Sequence, residues 1–564
     1  MISSSRSFLS TVSPGFLRCQ RQLSNSSRAK LQPKSPSKVF RNLAVGGTLT
    51  GLSVYGLDQY YDKVISRSFR AVRALLWVAY QYSSNASSYD SMHDLHDIAA
   101  EELLKMIEAN KGLYIKLGQA IANQGTLFPI EYQRRFNRLY DNAPVDKWQD
   151  IDTLLKKNFG SDYETDMFHS IEHTPIASAS IAQVHRAVLK VHNESNGTVE
   201  NVDVAVKVQH PYVENQINVD LLVYRLITKV YERVFDIPMA FFSSYVSSQL
   251  EKETDFVNEQ RNTEKLEFLL ETDTSKSKYL QKVRVPKVYT STRQVLIGEW
   301  IDGVSLSDKD KLIDQGFDLS LLMTQYLQSL AKQIFEYGFV HSDPHPGNLI
   351  ARFNDKNVQE LVILDHGLYV DLPMKFRNEY SRLFESIFQF NRSGIKEIAD
   401  SWGIGNVEVF ATLVQLRPIK MDGDSPDGNS KQDINDLLHD FLNDKSKFPL
   451  ELIFISRTMR MMQNLNQTYG SPVNRISILT KESVSALLKD SKSRKDWFIQ
   501  TLKFLPVRFA FFLNDLAFWF IRLRQVLLGD RYGGKKIGLE DYLETYMKNT
   551  AKSVGIEWVD ESEV

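Results

Sequence analysis

A chain of 564 residues, 43% of them hydrophobic and 24% charged, is long enough for two or three domains and a large core. Its formal net charge of −1 removes any global electrostatic case for a nucleic-acid or acidic partner. The single cysteine, Cys19, excludes an intramolecular disulfide and any cysteine-built zinc or iron–sulfur site, so oxygen and nitrogen ligands must carry any metal.

No Asp or Glu precedes Asp58, while Arg6, Arg18, Arg21, Arg28, Lys30, Lys34, Lys38 and Arg41 are scattered among serines. Over residues 1–40 this is the composition of a mitochondrial transit peptide, with a disordered basic tail as the plainer alternative. Residues 43–57 are uncharged and flanked by Arg41 and Asp58. Fifteen residues at about 1.5 Å each fall short of the roughly 30 Å hydrocarbon core, so this candidate transmembrane helix spans only with help from its flanks. Residues 67–82 follow with Phe69, Val72, Leu75, Leu76 and Trp77 among Arg67, Arg70 and Arg73. That pattern suits a helix on an anionic membrane surface and equally a helix packed on its own protein.

Residues 101–124 have helical periodicity, interrupted near Asn110 and Gly112, and carry K-L-G-Q at 116–119. Lys116 and Gln119, three apart, share a helix face and can reach one cleft, although a solvated pair is the commoner explanation. Residues 175–187, P-I-A-S-A-S-I-A-Q-V-H-R-A, and V-A-V-K at 204–207 read as a hairpin with a polar tip at 193–197, from whose second strand Lys207 projects. Residues 251–259, E-K-E-T-D-F-V-N-E, read as helix. There Glu253 and Asp255 cannot share a face, whereas Asp255 and Glu259 can; a solvated charged face is the plain alternative. Residues 285–289 and 293–303 look like two strands leading to a hinge, where backbone atoms from Glu299 to Ile301 suit an adenine edge.

Residues 320–337 form the clearest helix, with Gly338 as its stop. It delivers F-V-H-S-D-P-H-P-G-N at 339–348, where two prolines and a glycine between Asp343 and Asn348 predict a rigid polar loop. The apolar run L-V-I-L-D-H-G-L then ends on Asp365, with Gly367 close behind to allow a sharp turn. Two carboxylates and a carboxamide can thus face one spot, and such hard oxygen ligands suit a nucleotide-bound Mg²⁺. The spacing D-x-x-x-x-N followed by D-x-G matches a kinase catalytic loop and metal site. In that order of segments, the alanine-rich stretch stands where a kinase keeps its phosphate loop, and Lys207 would pair with phosphates and a helix carboxylate. Beyond Asp365 the pattern is helical, with an exposed acidic loop expected at 421–433 and no A-P-E signature. Residues 497–528 are rich in Phe, Leu and Trp but carry Lys503, Arg508, Asp515, Arg522 and Arg524, which favours a packed or interfacial helix over a spanning one.

With these pieces in place, residues 100–369 resemble the UbiB/AarF-type atypical kinase family, also called the ADCK family. The likeness rests on K-x-G-Q at 116–119, A-S-A-S-I-A-Q-V-H at 177–185, V-A-V-K ending on Lys207, E-x-D at Glu253 and Asp255, and H-S-D-P-H-P-G-N with D-H-G. Within the family the chain looks most similar to the fungal mitochondrial coenzyme Q distribution branch. The resemblance implies an α+β, two-lobed protein-kinase-like fold with a helical extension at 60–145, lobes at 146–298 and 299–496, and a helical tail at 497–564.

It also implies ATP and Mg²⁺ as cofactors. Lys207 would meet the phosphates and Glu259 would meet Lys207; Asn348 and Asp365 would hold the metal, and Asp343 would serve as base or water-positioning residue. The loop Ala177, Ser178, Ala179 and Ser180 stands in place of glycines and disfavours the usual ATP pose. The Lys116 helix would fold over the site, with Lys116 paired to Glu253. Such proteins look more like ATPases or small-molecule or lipid-linked kinases than protein kinases, and Ser342 replaces the arginine with which ordinary kinases grip a phosphorylated activation loop. The implied setting is the mitochondrial inner membrane and its lipids, with coenzyme Q or a precursor as an associated molecule and the bulk of the chain facing the intermembrane space. Nothing in the sequence itself recognises a quinone. A nucleotide-gated scaffold and a phosphotransferase acting on a protein stand as alternatives.

Overall fold

The computed structural model describes residues 53, 55–60, 63–89, 91–122, 129–140, 145–192, 197–235, 239–275, 277–388, 391–404, 419–420, 447–489, 505–528, 538–539, 541 and 557–558. Residues 1–40, where a transit peptide is expected, most of the 43–57 segment, the tip residues 193–196 and the acidic stretch 421–433 lie outside them. Residues 1–60 and 61–564 form two units, and in the first the described residues 55–60 are helical. Among the described residues no helix is long and apolar enough to cross a membrane.

In the second unit, α1 (Val64–Ser84) buries Ala71, Ala74 and Val78 while Phe69, Leu76 and Tyr80 on its other side are exposed. Helix α2 (Met92–Asn110) starts where Ser91 accepts the Asp94 N–H, and packs Ala99, Leu103, Leu104 and Ile107 into one cluster with Ala71, Ala74 and Val78 of α1. It stops because Lys111 and Gly112 take positive φ values of 58° and 53°, which turns the chain into α3 (Leu113–Ala122). The expected interruption at residues 110–112 is this turn.

The first lobe is built on a six-stranded sheet. Strands β1 (Phe168–Ile171), β2 (Ala177–Ser178), β3 (Ala182–His192) and β4 (Val199–Gln209) are antiparallel neighbours around the predicted hairpin, whose register runs from Ala182 opposite Gln209 to His192 opposite Val199. On β4, Val204, Val206 and Val208 are fully buried in the lobe core. Successive strand residues point to opposite faces, so Lys207 lies on the other side of the sheet, towards the cleft.

Helices α4 (Val213–Phe235), α5 (Met239–Glu253) and α6 (Phe256–Glu271) follow. Of the strand expected at 285–289 only 288–289 is strand; 285–287 links two short strands that lie in different sheets. β5 (Val283–Arg284) joins the second lobe's sheet, and β6 (Val288–Ser291) pairs with β7 (Val295–Glu299) in the first.

In the second lobe, β8 (Val304–Ser305) and β5 are the two edges of a four-stranded sheet. Helix α7 (Leu319–Lys332) is capped by Asp318, continues through a wider π turn at Gln333–Tyr337 and ends on Gly338 at φ 66°. Strand β9 (Phe339–His341) then leads into the polar loop, β10 (Leu349–Phe353) and β11 (Gln359–Ile363) form a hairpin, and β12 (Tyr369–Asp371) returns antiparallel to β9. Helices α8 (Met374–Phe388), α9 (Glu451–Thr468), α10 (Arg475–Lys489) and α11 (Leu505–Leu528) are among those that follow, and the core includes Tyr326, Leu330, Leu361, Leu383 and Met462.

Candidate functional site

Lys207 reaches from β4 to Glu259 on α6, with its Nζ 2.7 and 2.8 Å from the two carboxylate oxygens and 3.6 Å from Asp365 Oδ1. Glu259 is almost fully buried, so removing either partner of this ion pair would leave an uncompensated charge in low dielectric. Asp365 follows β11 and receives the Gly367 N–H at 3.0 Å, while Asn348 Nδ2 lies 3.5 Å from Asp365 Oδ2. Four residues from separate segments, Lys207, Glu259, Asn348 and Asp365, therefore converge on one cleft.

The segment 251–259 is not one helix. Helix α5 ends at Glu253, Thr254 bonds back to Glu251 O, and Asp255 becomes the N-cap of α6 by accepting the Val257 N–H at 3.0 Å. This corrects the expectation that Asp255 and Glu259 share a face, since the Asp255 carboxylate serves the cap. The break has a consequence for the cleft. On a single helix residues six apart would point roughly 240° apart, yet here Glu259 takes Lys207 while Glu253 takes Lys116 of α3 at 2.5 Å.

On the same helix, Gln119 Nε2 donates to Leu139 O at 3.1 Å. The neighbouring Gly118 allows a close approach, since a Cβ there would overlap the Leu139 side chain and press on Ile107. Gly118→Leu is expected to cost about 1–3 kcal/mol through overpacking, read as a lower denaturation midpoint. An unchanged midpoint would show that α3 does not pack there.

The alanine-rich loop is pinned from below. Ala177 and Ser178 pair with Val184 and Gln183, Ala179 N–H donates to Ala182 O at 2.8 Å, and the His210 ring bridges Ala179 O and Asp146 Oδ2 at 3.0 and 2.6 Å. Ser180 is buried with its Oγ lacking a hydrogen-bond partner. At the hinge, the Glu299 N–H is taken by Lys287 O and the Trp300 N–H by Asp203 O, while the Glu299 carboxylate faces Lys287 N–H and Arg352. Ile301, half-buried beyond the strand end, is the part of the predicted adenine edge outside this ladder.

Asp343 sits in the loop between β9 and a short turn at Pro346–Asn348, and its N–H donates to His341 Nδ1 at 3.2 Å. Tyr326 OH on α7 donates to Pro344 O at 3.0 Å, and Thr458 on α9 donates to His341 O at 2.9 Å. The Arg457 guanidinium lies 2.9 Å from Asp343 Oδ1. Arg457 and Thr458 were missed in the sequence, because no local motif marks a helix that reaches the loop only through the fold. His366 is held by Tyr369 OH and Ile363 O, and Asn262 on α6 donates to its carbonyl.

Four carboxylates, Glu253, Glu259, Asp343 and Asp365, thus meet three cations, Lys116, Lys207 and Arg457. Burial opposes charge on Asp365, but Lys207, Lys116 and the Gly367 N–H outweigh it and hold the carboxyl well below its usual range. Burial likewise works against Lys207 and Lys116, and the surrounding carboxylates overcome it and raise both ammonium groups above the ordinary lysine range. Such a cleft admits a polyphosphate only with a cation to balance it. Among the described residues no cluster of three His, Cys, Asp or Glu side chains is arranged to hold a metal alone. Asp365 and Asn348 supply hard oxygens of the kind Mg²⁺ takes when phosphate and water complete its shell, so the donor set fits a nucleotide-borne Mg²⁺.

Residues 138–399 match the family model for the ABC1 atypical kinase-like domain. An ABC1 family protein of Schizosaccharomyces pombe is 37% identical over 480 residues, covering 82% of this chain and 86% of its own. The chain belongs to the ABC1 family of atypical kinase-like proteins. An ABC1 family protein of Purpureocillium lilacinum is 32% identical over 539 residues, 87% of each chain. AarF domain-containing kinase 1 of Drosophila melanogaster is 37% identical over 329 residues, 57% of this chain and 60% of its own. The ABC1 match begins after α3 and ends before α9, so neither Lys116 nor Arg457 falls within it.

Burial, helped by the neighbouring His341, pushes His366 of this ABC1 site down to about 3 from 6.5. A histidine whose folded value is depressed contributes stability that is present above pH 6.5 and lost as the pH falls towards 3, because the unfolded chain takes the proton first. His366→Asn is therefore expected to be less stable than wild type at pH 7.5. Its deficit should shrink by up to about 1.4 kcal/mol per pH unit on acidification below 6.5. Denaturant titrations of both proteins at pH 7.5 and 5.5 measure this, and a constant deficit would contradict it.

Proposed function

We propose that this chain is an Mg-ATP-binding atypical kinase-like protein, an ATPase or a small-molecule or lipid-linked kinase. It acts at the mitochondrial inner membrane in coenzyme Q distribution and lipid homeostasis. The observation that carries the nucleotide reading is the convergence of Lys207, Glu259, Asp365 and Asn348 in one cleft. Lys207, oriented by Glu259, would neutralise phosphate oxygens; Asp365 and Asn348 would hold the metal, which supplies charge neutralisation to the transferred group. Asp343 would accept the proton of an attacking hydroxyl or water, or orient it.

The membrane reading rests on targeting composition and on unpartnered apolar faces. On α11, Phe509, Phe512, Leu516, Trp519, Phe520 and Leu523 are each more than half exposed, whereas Phe518 is buried and Asp515 is tied to Lys481 at 2.8 Å on the packed side. An aromatic-rich exposed stripe of this kind fits a helix lying in a lipid interface. The coenzyme Q link comes from the family resemblance.

The test is quinone and lipid profiling of fractionated mitochondria from cells carrying the intact protein, the Asp365→Asn form or a deletion. Altered profiles in both the mutant and the deletion are expected; unaltered profiles in both would dismiss the lipid assignment. A second reading, a nucleotide-gated scaffold without chemistry, is favoured by Lys116, which projects from α3 into the cleft and is held there by Glu253.

A further inference from the structure

The Asp343 loop is held from outside the matched kinase-like segment. Helix α9 presents two consecutive residues to it: Thr458 Oγ1 donates to the backbone of His341, and the Arg457 guanidinium stands 2.9 Å from Asp343 Oδ1. Consecutive helical residues point about 100° apart, so both reach the loop only because α9 lies along it. Both side chains of the charged pair are largely buried, and at that depth a carboxylate is more stable beside a guanidinium than alone.

The pair is close without being an aligned hydrogen bond. Asp343 Oδ1 and Arg457 Nε are both buried without a hydrogen-bond partner, which leaves an acceptor and a donor unfilled beside the candidate base. A purely structural Arg–carboxylate pair usually closes as a bidentate fork with both groups satisfied. The position that ordinary kinases give to an arginine before the catalytic aspartate is here Ser342, whose side chain is fully buried and turned to Val340 O. A guanidinium is nevertheless present at the loop, delivered from a different helix.

We propose that Arg457 is a positioning residue for Asp343, setting the direction of its carboxylate towards an attacking hydroxyl or water, and that the working unit of this protein therefore extends through α9. This rests on the phosphoryl-transfer reading above and adds a residue to it. A misplacement of about 1 Å at a reacting group can cost on the order of a hundredfold in rate, so the effect of losing the guanidinium belongs in turnover and not in nucleotide affinity.

The experiment uses the full chain and measures Mg-ATP binding by calorimetry and Mg-ATP turnover by phosphate release. The proteins compared are wild type, Arg457→Gln, Arg457→Lys, Asp343→Asn and the Arg457→Gln/Asp343→Asn double variant. Arg457→Gln is expected to lower kcat roughly tenfold to a hundredfold, with the KM for ATP and the calorimetric affinity within about twofold, and Arg457→Lys to recover part of the loss. The double variant is expected to be no slower than Asp343→Asn alone, because a residue that acts only through Asp343 has nothing left to position. A wild-type kcat in Arg457→Gln overturns the proposal, and so does a further independent loss in the double variant. If Arg457→Gln does not fold, Arg457→Lys decides, since it keeps the charge and loses the fork: a reduced kcat supports the proposal and an unchanged one overturns it. A wild-type protein that binds Mg-ATP but turns none over overturns the phosphoryl-transfer reading and this proposal together, whereas unimpaired Arg457→Gln with an active wild type overturns this proposal alone.

Discussion

In the Asp365→Asn protein, Mg-ATP is expected to bind at least about a hundredfold more weakly than in wild type, a loss of about 2.8 kcal/mol. The carboxylate lies at the meeting point of Lys207, Asn348 and the Gly367 N–H, and its neighbours hold it ionised against its burial. Asparagine keeps the volume and one carbonyl oxygen but removes the negative charge that a hard divalent cation requires. Lys207 keeps Glu259, so the apo fold should survive the substitution. Thermal melts with and without Mg-ATP provide the check: saturating nucleotide should raise the wild-type midpoint by mass action and leave the variant's unmoved. Equal shifts in the two proteins would remove Asp365 from the site.

Asp343→Asn is expected to have the opposite signature, with Mg-ATP affinity retained and turnover lowered by about 10²–10⁴-fold, the usual contribution of a positioned proton acceptor. The geometry supports this separation, because Asp343 faces Arg457 while the nucleotide-side contacts of Lys207 and Asp365 do not pass through it. The same variant distinguishes chemistry from scaffolding in cells. Loss of the lipid phenotype with binding intact supports a phosphoryl-transfer role, and full retention supports a nucleotide-gated scaffold. Comparing phosphate release with calorimetric binding on one preparation is sufficient for the in vitro half.

Much of the site was legible because its chemistry is local. Prolines and a glycine between Asp343 and Asn348 leave the backbone little choice but a rigid loop, and the strict alternation of Val204, Val206 and Val208 on β4 dictates that Lys207 faces away from the lobe core. Lys116 and Glu253 could be named from motif resemblance, and the fold brings them within ion-pair distance.

The order of segments, the strand that carries Lys207, the loop that carries Asp343 and Asn348, and membership of the ABC1 family can all be read along the chain. Three other matters depended on long-range packing. It broke 251–259 at Thr254 and aimed Glu253 and Glu259 at lysines from two different elements, Lys116 on α3 and Lys207 on β4, in one cleft. It set the Gln119 amide on the Leu139 carbonyl, beside Gly118, where a Cβ would overlap the Leu139 side chain. It brought Arg457 from a distant helix to Asp343, a pairing that depends on long-range packing and leaves no periodic or spacing signal in the chain.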